Sequence, residues 1–267
     1  MKIWSISLNT LESFLHNRLI VLVLILAVCV VLLMMSPLLG AKMMTTSANR
    51  QALEGVVLEV VSGVMSFVSG LGSVLAAWSA AEVVHAELKS GTILAVMARP
   101  VKRWEFLLGK YLGVMMFMVC YVLLMIGMSY LLVSIAGMRI HAAPWVLFFY
   151  PVVRYAIYAA LALFFTTLMH PVVTMGVMLV VTILTSVIGP DSPLWKVKLL
   201  WLKAALYYLL PSTGLLTEGR FLSLRQAAIK QATWVEHAIT LGYGLDCALI
   251  FVLIAMWRFH YKSLRHD

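Results

Sequence analysis

The chain has 267 residues, 63% of them hydrophobic and only 12% charged, with a formal net charge of +9. Soluble domains carry about 45–50% apolar and about 25% charged residues, so this chain has too few solvated side chains to cover a globular surface. A soluble enzyme, a disordered tail and a nucleic-acid-binding domain are excluded, and basic charge on so apolar a chain points to cytoplasmic membrane flanks. The fold class expected is all-α, a polytopic integral membrane protein, over residues 1–267 as a single transmembrane domain.

The first predicted element is an interfacial helix over residues 1–18. Trp4, Leu8, Leu11 and Leu15 recur at helical spacing, with Lys2, Asn9, Glu12 and Asn17 between them, which describes an amphipathic helix lying among membrane lipid headgroups. The apolar run after it is too long for a signal core and lacks a small-residue cleavage site, so no cleavable signal peptide is expected. Leu19–Ala41 is the first span, ending near Ser36-Pro37, and Val60–Ala81 is the second. In the second, Ser69, Ser73, Ala77 and Ala81 fall four apart, and Gly109/Gly113 open the third span as Gly-x-x-x-Gly. Small residues let helices approach closely, either within one subunit or at a seam between two.

Between these spans lies a charged loop from Ser79 to Gly113. Glu82–Lys89 continues the second helix, Ser90-Gly91 breaks it, and Thr92 can cap a short helix over Ile93–Ala98. Pro100 pushes Arg99 toward extended backbone, and Lys102, Arg103 and Lys110 anchor the third span at the headgroups.

At these residues the chain resembles the permease subunits of type-2 ABC transporters. Matching that family's loop are Glu87, Gly91, Thr92, Arg99, Pro100, Val101, Arg103, Gly109 and Lys110. The resemblance implies a coupling helix within Glu82–Ala98 that docks on a separate ATP-binding subunit. It also implies two permease subunits, identical or not, and export of a lipid-like, peptide or drug-like molecule. Size and layout are similar to the permease of the nitrous-oxide-reductase maturation transporter.

Tyr111–Met138 is the third span. The uncharged stretch Tyr155–Pro190 has 36 residues; as one helix it would run about 54 Å, well beyond a hydrocarbon core of about 30 Å. It must fold back, and His170-Pro171 is the polar, helix-breaking place to do so. Trp145–Met169 and Val172–Gly189 are therefore spans four and five, and Ile239–Trp257 completes six. In the long loop 190–240, Leu199–Leu210 is apolar but too short to span, which suits a re-entrant or interface-lying helix. Phe221, Leu224, Ala228, Ala232, Val235 and Ile239 continue a helical stripe on the outer surface.

With both termini on one side, that side holds Lys2, Arg18, Lys89, Arg99, Lys102, Arg103, Lys110, Arg258, Lys262 and Arg265, against Lys42, Arg50 and Arg139 in the short opposite loops. This places the termini in the cytoplasm, although the long loop carries six further basic residues on the outer side. Arg154, Asp246 and Glu59 fall in outer halves of their spans. Arg154 and Asp246 are expected either to pair or to line a polar path near Glu59, unless Arg154 snorkels to the headgroups.

No enzyme is expected. The phosphate-binding pattern Gly-x-x-x-x-Gly-Lys-Ser/Thr is missing, Gly109-Lys110 being followed by Tyr111, so ATP belongs to the partner subunit and the chain binds no cofactor of its own. Cys29, Cys120 and Cys247 sit far apart in apolar runs and read as small hydrophobes, and the 17 methionines read as packing; neither makes a metal site. Ser129 lies at the wrong depth for His170 or His260 to activate it. The competing reading keeps the topology but drops transport, as an intramembrane enzyme or a membrane anchor of a complex.

Overall fold

The computed structural model describes residues 2–44, 50–90, 102–135, 144–187, 213–216 and 234–261. Among them are seven α-helices and one 3-10 turn: α1 (Lys2–His16), α2 (Arg18–Met44), α3 (Arg50–Ser90), α4 (Arg103–Ile135), α5 (Pro144–Leu168), α6 (Pro171–Val187), the turn Thr213–Leu216, and α7 (Trp234–Tyr261). Five helices, α2, α3, α4, α5 and α7, are long and apolar enough to cross a membrane. The expected fifth span is the exception: α6 has 17 residues within the described region, about 26 Å of helix.

Local chemistry sets the boundaries. Asn17 is the one residue between α1 and α2; its Oδ1 accepts from the Leu19 N–H at 3.1 Å, an N-cap for α2. At the start of α4, Glu105 Oε2 accepts from the Lys102 N–H at 3.0 Å, the reaching-back half of a capping box. α5 stops at Leu168 and Pro171 opens α6, where a missing N–H costs no intrahelical bond. The His170 carbonyl accepts from Thr174 N–H at 3.0 Å, so the fold-back expected at His170-Pro171 is there.

The apolar spanning part of α2 is Arg18–Ser36, ending where expected, but the helix itself continues to Met44. Pro37 has no N–H for the Leu33 carbonyl, and the Ser36 hydroxyl donates to that carbonyl instead, at 2.8 Å.

α5 is the central helix. Every residue from Val153 to Leu163 is buried, the mark of a helix enclosed on all sides, and α3, α4, α6, α7 and the 3-10 turn all pack on it. α5 and α7 run parallel, from the stacked Trp145 and Trp234 rings (5.1 Å) past Phe164 and Phe251. Phe259, late in α7, stacks on Phe106, early in α4, at 6.3 Å. The end of α7 therefore meets the start of α4 at one end of the bundle, the end where α1 packs on α4. The two tryptophans mark the other.

Both small-residue patterns are used inside the chain. Ser69, Ser73, Ala77 and Ala81 are buried, and Ser69 meets Arg154 of α5. Gly109 and Gly113 receive α1.

Candidate functional site

Two arrangements carry chemistry that a helical bundle does not need merely to fold. The first is at the roots of the loop between α3 and α4. On α1 the face turned to α4 is Ile3, Ile6, Ser7, Thr10 and Phe14, while Trp4, Leu8 and Leu15 are exposed. Ser7 donates to the Gly109 carbonyl at 3.0 Å, and Phe14 lies 5.4 Å from the Phe117 ring. A Cβ on Gly109 would stand 2.8 Å from Ile6 Cγ2; one on Gly113 would stand 2.6 Å from Thr10 Cβ and 2.9 Å from the Ser7 carbonyl oxygen. Only glycine lets α1 lie this close.

The other end of α1 holds the other root. Asn17, while capping α2, donates through Nδ2 to Glu82 Oε1 at 3.1 Å, near the last described side chains of α3. α1 and the Asn17 link after it thus strap together the helix that enters the loop and the helix that leaves it. Asn17→Ala removes the cap and strands the half-buried Glu82 carboxylate, whose Oε2 is already buried without a partner. The expected cost is about 2 kcal/mol, read as a lower thermal midpoint of the purified chain. Glu82→Gln, which keeps an oxygen for Asn17, should cost less.

The second arrangement is a ladder on α5. Tyr150, Arg154 and Tyr158 sit at i, i+4 and i+8 and so share one side of the helix. Each meets a different element. Tyr150 hydroxyl and His237 Nδ1 of α7 share a 2.7 Å hydrogen bond. Arg154 Nη1 donates to Ser69 Oγ of α3 at 2.8 Å, and its guanidinium lies 5.9 Å from the Tyr158 ring centre. Tyr158 hydroxyl and Thr213 Oγ1 share a bond of 3.1 Å. Tyr158 lies roughly 20 Å along the axis from Trp145, so the 3-10 turn reaches deep into the bundle. Gly244 of α7 faces the same turn, a Cβ there standing 3.2 Å from Leu216 Cδ1.

Arg154 is only 8% exposed and its Nε is buried without a partner. An arginine cannot shed its charge, and a cation at the centre of a membrane helix costs about 2.5–3.5 kcal/mol on insertion scales. The structure does not pair it with Asp246. The arginine turns toward α3, whereas Asp246 lies on an exposed face of α7, and Glu59 is exposed on α3. Nor does Arg154 snorkel, since Ser69 and Tyr158 hold it inside.

Of the other residues expected to matter, Arg103 is half-buried and Lys110 is buried, its Nζ 5.6 Å from the Phe106 ring centre. Gly91, Thr92, Arg99 and Pro100 lie outside the described residues, as do the side chain of Glu87 and the segments Leu199–Leu210 and 221–233. Ser129 donates to the Met125 carbonyl of its own helix at 2.9 Å, the behaviour of a packing serine. Asn17, Ser7, Tyr150, Tyr158, Thr213 and His237 escaped the sequence reading. Asn17 alone left a signal, an Asn standing directly before an apolar helical run.

A family model described as an ABC-2 family transporter protein matches residues 4–264. No curated protein matches the chain.

Proposed function

The chain belongs to the ABC-2 family of transporter proteins, and on that premise we propose that it is the permease of an exporter driven by a separate ATP-binding subunit. That subunit docks on the loop joining α3 and α4, with Glu82, Glu87, Gly91, Thr92, Arg99, Pro100, Arg103 and Lys110 at or around the contact. The loop end faces the cytoplasm, as the ten basic residues there favour. The tryptophan end faces outward, with both termini inside. α6 makes a sixth crossing beside the five long helices, and two permease subunits work on two ATPases in the inner membrane.

One observation supports this reading: α1 and the Asn17 link that follows it hold α4 and α3 near the roots of the loop, through Ser7–Gly109 and Asn17–Glu82. A loop held at both roots passes a push at its tip into α3 and α4 together instead of absorbing it. ATP-driven closure of the partner then tilts these two helices and opens a path between permease halves.

The test is co-purification with the ATP-hydrolysing subunit expressed alongside. The tagged chain should retain the partner, and replacing residues 91–101 with a Gly-Ser linker of equal length should reduce recovery at least tenfold while the permease still accumulates. Full retention after that replacement would refute docking at the loop.

A further inference from the structure

We propose that Arg154 binds an anionic group, phosphate-like or carboxylate, brought into the bundle by a ligand. The guanidinium has five N–H donors in a fixed fork, yet makes one hydrogen bond, to Ser69 Oγ, and rests against one ring. Its Nε is fully enclosed and unpartnered. Among the described residues no carboxylate lies within ion-pair range of it, Glu59 and Asp246 being exposed elsewhere on their helices. A permanent charge that is buried and, among the described residues, unneutralised and under-bonded is strongly biased toward an anion that presents two oxygens to the fork.

The surroundings suit such a ligand. Ser69 supplies a hydroxyl, Tyr158 an aromatic face, and the ladder continues through Tyr150 and His237 toward the tryptophan end. A merely structural arginine bridging α3 and α5 would need no vacant donors. That the bound anion is cargo rests on the permease reading; the binding itself does not.

The experiment uses the full chain alone in an uncharged detergent, with thermal unfolding as the readout. The additions are phosphatidylglycerol, phosphatidylcholine with the same acyl chains, and inorganic phosphate. Phosphatidylglycerol should raise the midpoint by roughly 5 °C when present at about a hundredfold excess over Kd; phosphatidylcholine should not. Arg154→Gln, whose amide can still donate to Ser69, should erase the difference, and Arg154→Lys should keep part of it. A matching shift with inorganic phosphate identifies a soluble anion as the ligand; a shift with phosphatidylglycerol alone identifies a lipid headgroup. Equal response to both lipids, no shift with either anion, or an undiminished shift in Arg154→Gln would each overturn the proposal. Should Arg154→Gln not accumulate, the lysine variant decides: its affinity must fall at least severalfold. No ATPase partner enters these measurements, so their failure is distinct from failure to co-purify with one.

Discussion

Replacing Gly113 with valine should lift α1 off α4 and, on the proposed permease function, uncouple the partner's ATP hydrolysis from transport. The obstacle is backbone: a Cβ there would lie 2.9 Å from the Ser7 carbonyl oxygen as well as 2.6 Å from Thr10 Cβ. A carbonyl cannot rotate aside, so α1 has to move as a body, and the Ser7–Gly109 bond one turn away is lost with it. Overpacking of this kind costs about 1–3 kcal/mol, and the lost bond adds about 1 kcal/mol. Transport by the assembled complex should fall at least tenfold while the partner's basal hydrolysis continues. Gly109→Ala should be milder than Gly113→Ala, because its nearest neighbours, at 2.8 and 2.9 Å, belong to the Ile6 side chain and the backbone contact, Ile3 oxygen, is at 3.3 Å. The opposite order would show that α1 is not seated on these two glycines.

Gly72→Val should prevent the chain from accumulating in the membrane. Gly72 lies where the Tyr155 and Tyr121 rings cross α3, and a Cβ would stand inside contact distance of both, 2.9 Å from Tyr121 Cε1. Those two hydroxyls donate to one acceptor, the Val68 carbonyl, at 3.2 and 3.0 Å. In a regular helix that carbonyl also takes the Gly72 N–H. Displacing the rings leaves two buried hydroxyls seeking partners, at about 1–3 kcal/mol each, on top of the collision. A total of about 4 kcal/mol is expected, measured as loss of folded protein after detergent extraction. Tyr155→Phe should cost only about 1 kcal/mol. The control is Gly70→Val two residues away, where open space predicts little change.

Much of this architecture was legible because lipid makes simple demands. Apolar runs of spanning length marked α2, α3, α4, α5 and α7, and Pro171 marked the fold-back, since nothing else in that uncharged stretch could end a helix. The contacts between helices were not legible, for a related reason. In water an apolar stripe marks the side that meets protein, whereas beside lipid the protein side is marked by small and polar residues. On α1, Trp4, Leu8 and Leu15 caught the eye and are exposed; Ser7 and Thr10, unremarked among them, hold the helix in place. The pairing of Arg154 with Asp246 failed similarly. Depth can be counted along a sequence, but the direction a side chain faces around a buried helix depends on partners far away in the chain. Tyr158 and Thr213, 55 residues apart, are another such pair.

Ser7 and the carbonyl it donates to are separated by 102 residues. At about 5–20 residues per second of synthesis, roughly 5–20 s pass between the emergence of α1 and that of its seat. During that interval α1 has no protein surface to lie on, and its Trp4, Leu8 and Leu15 side can only rest on lipid. α1 is made well before its seat and is thus locked late, after α4 has been inserted. A nascent chain halted shortly before Gly109 should carry α1 with its Ser7 face open to protease and labelling reagents, and one extended past α4 should have it closed.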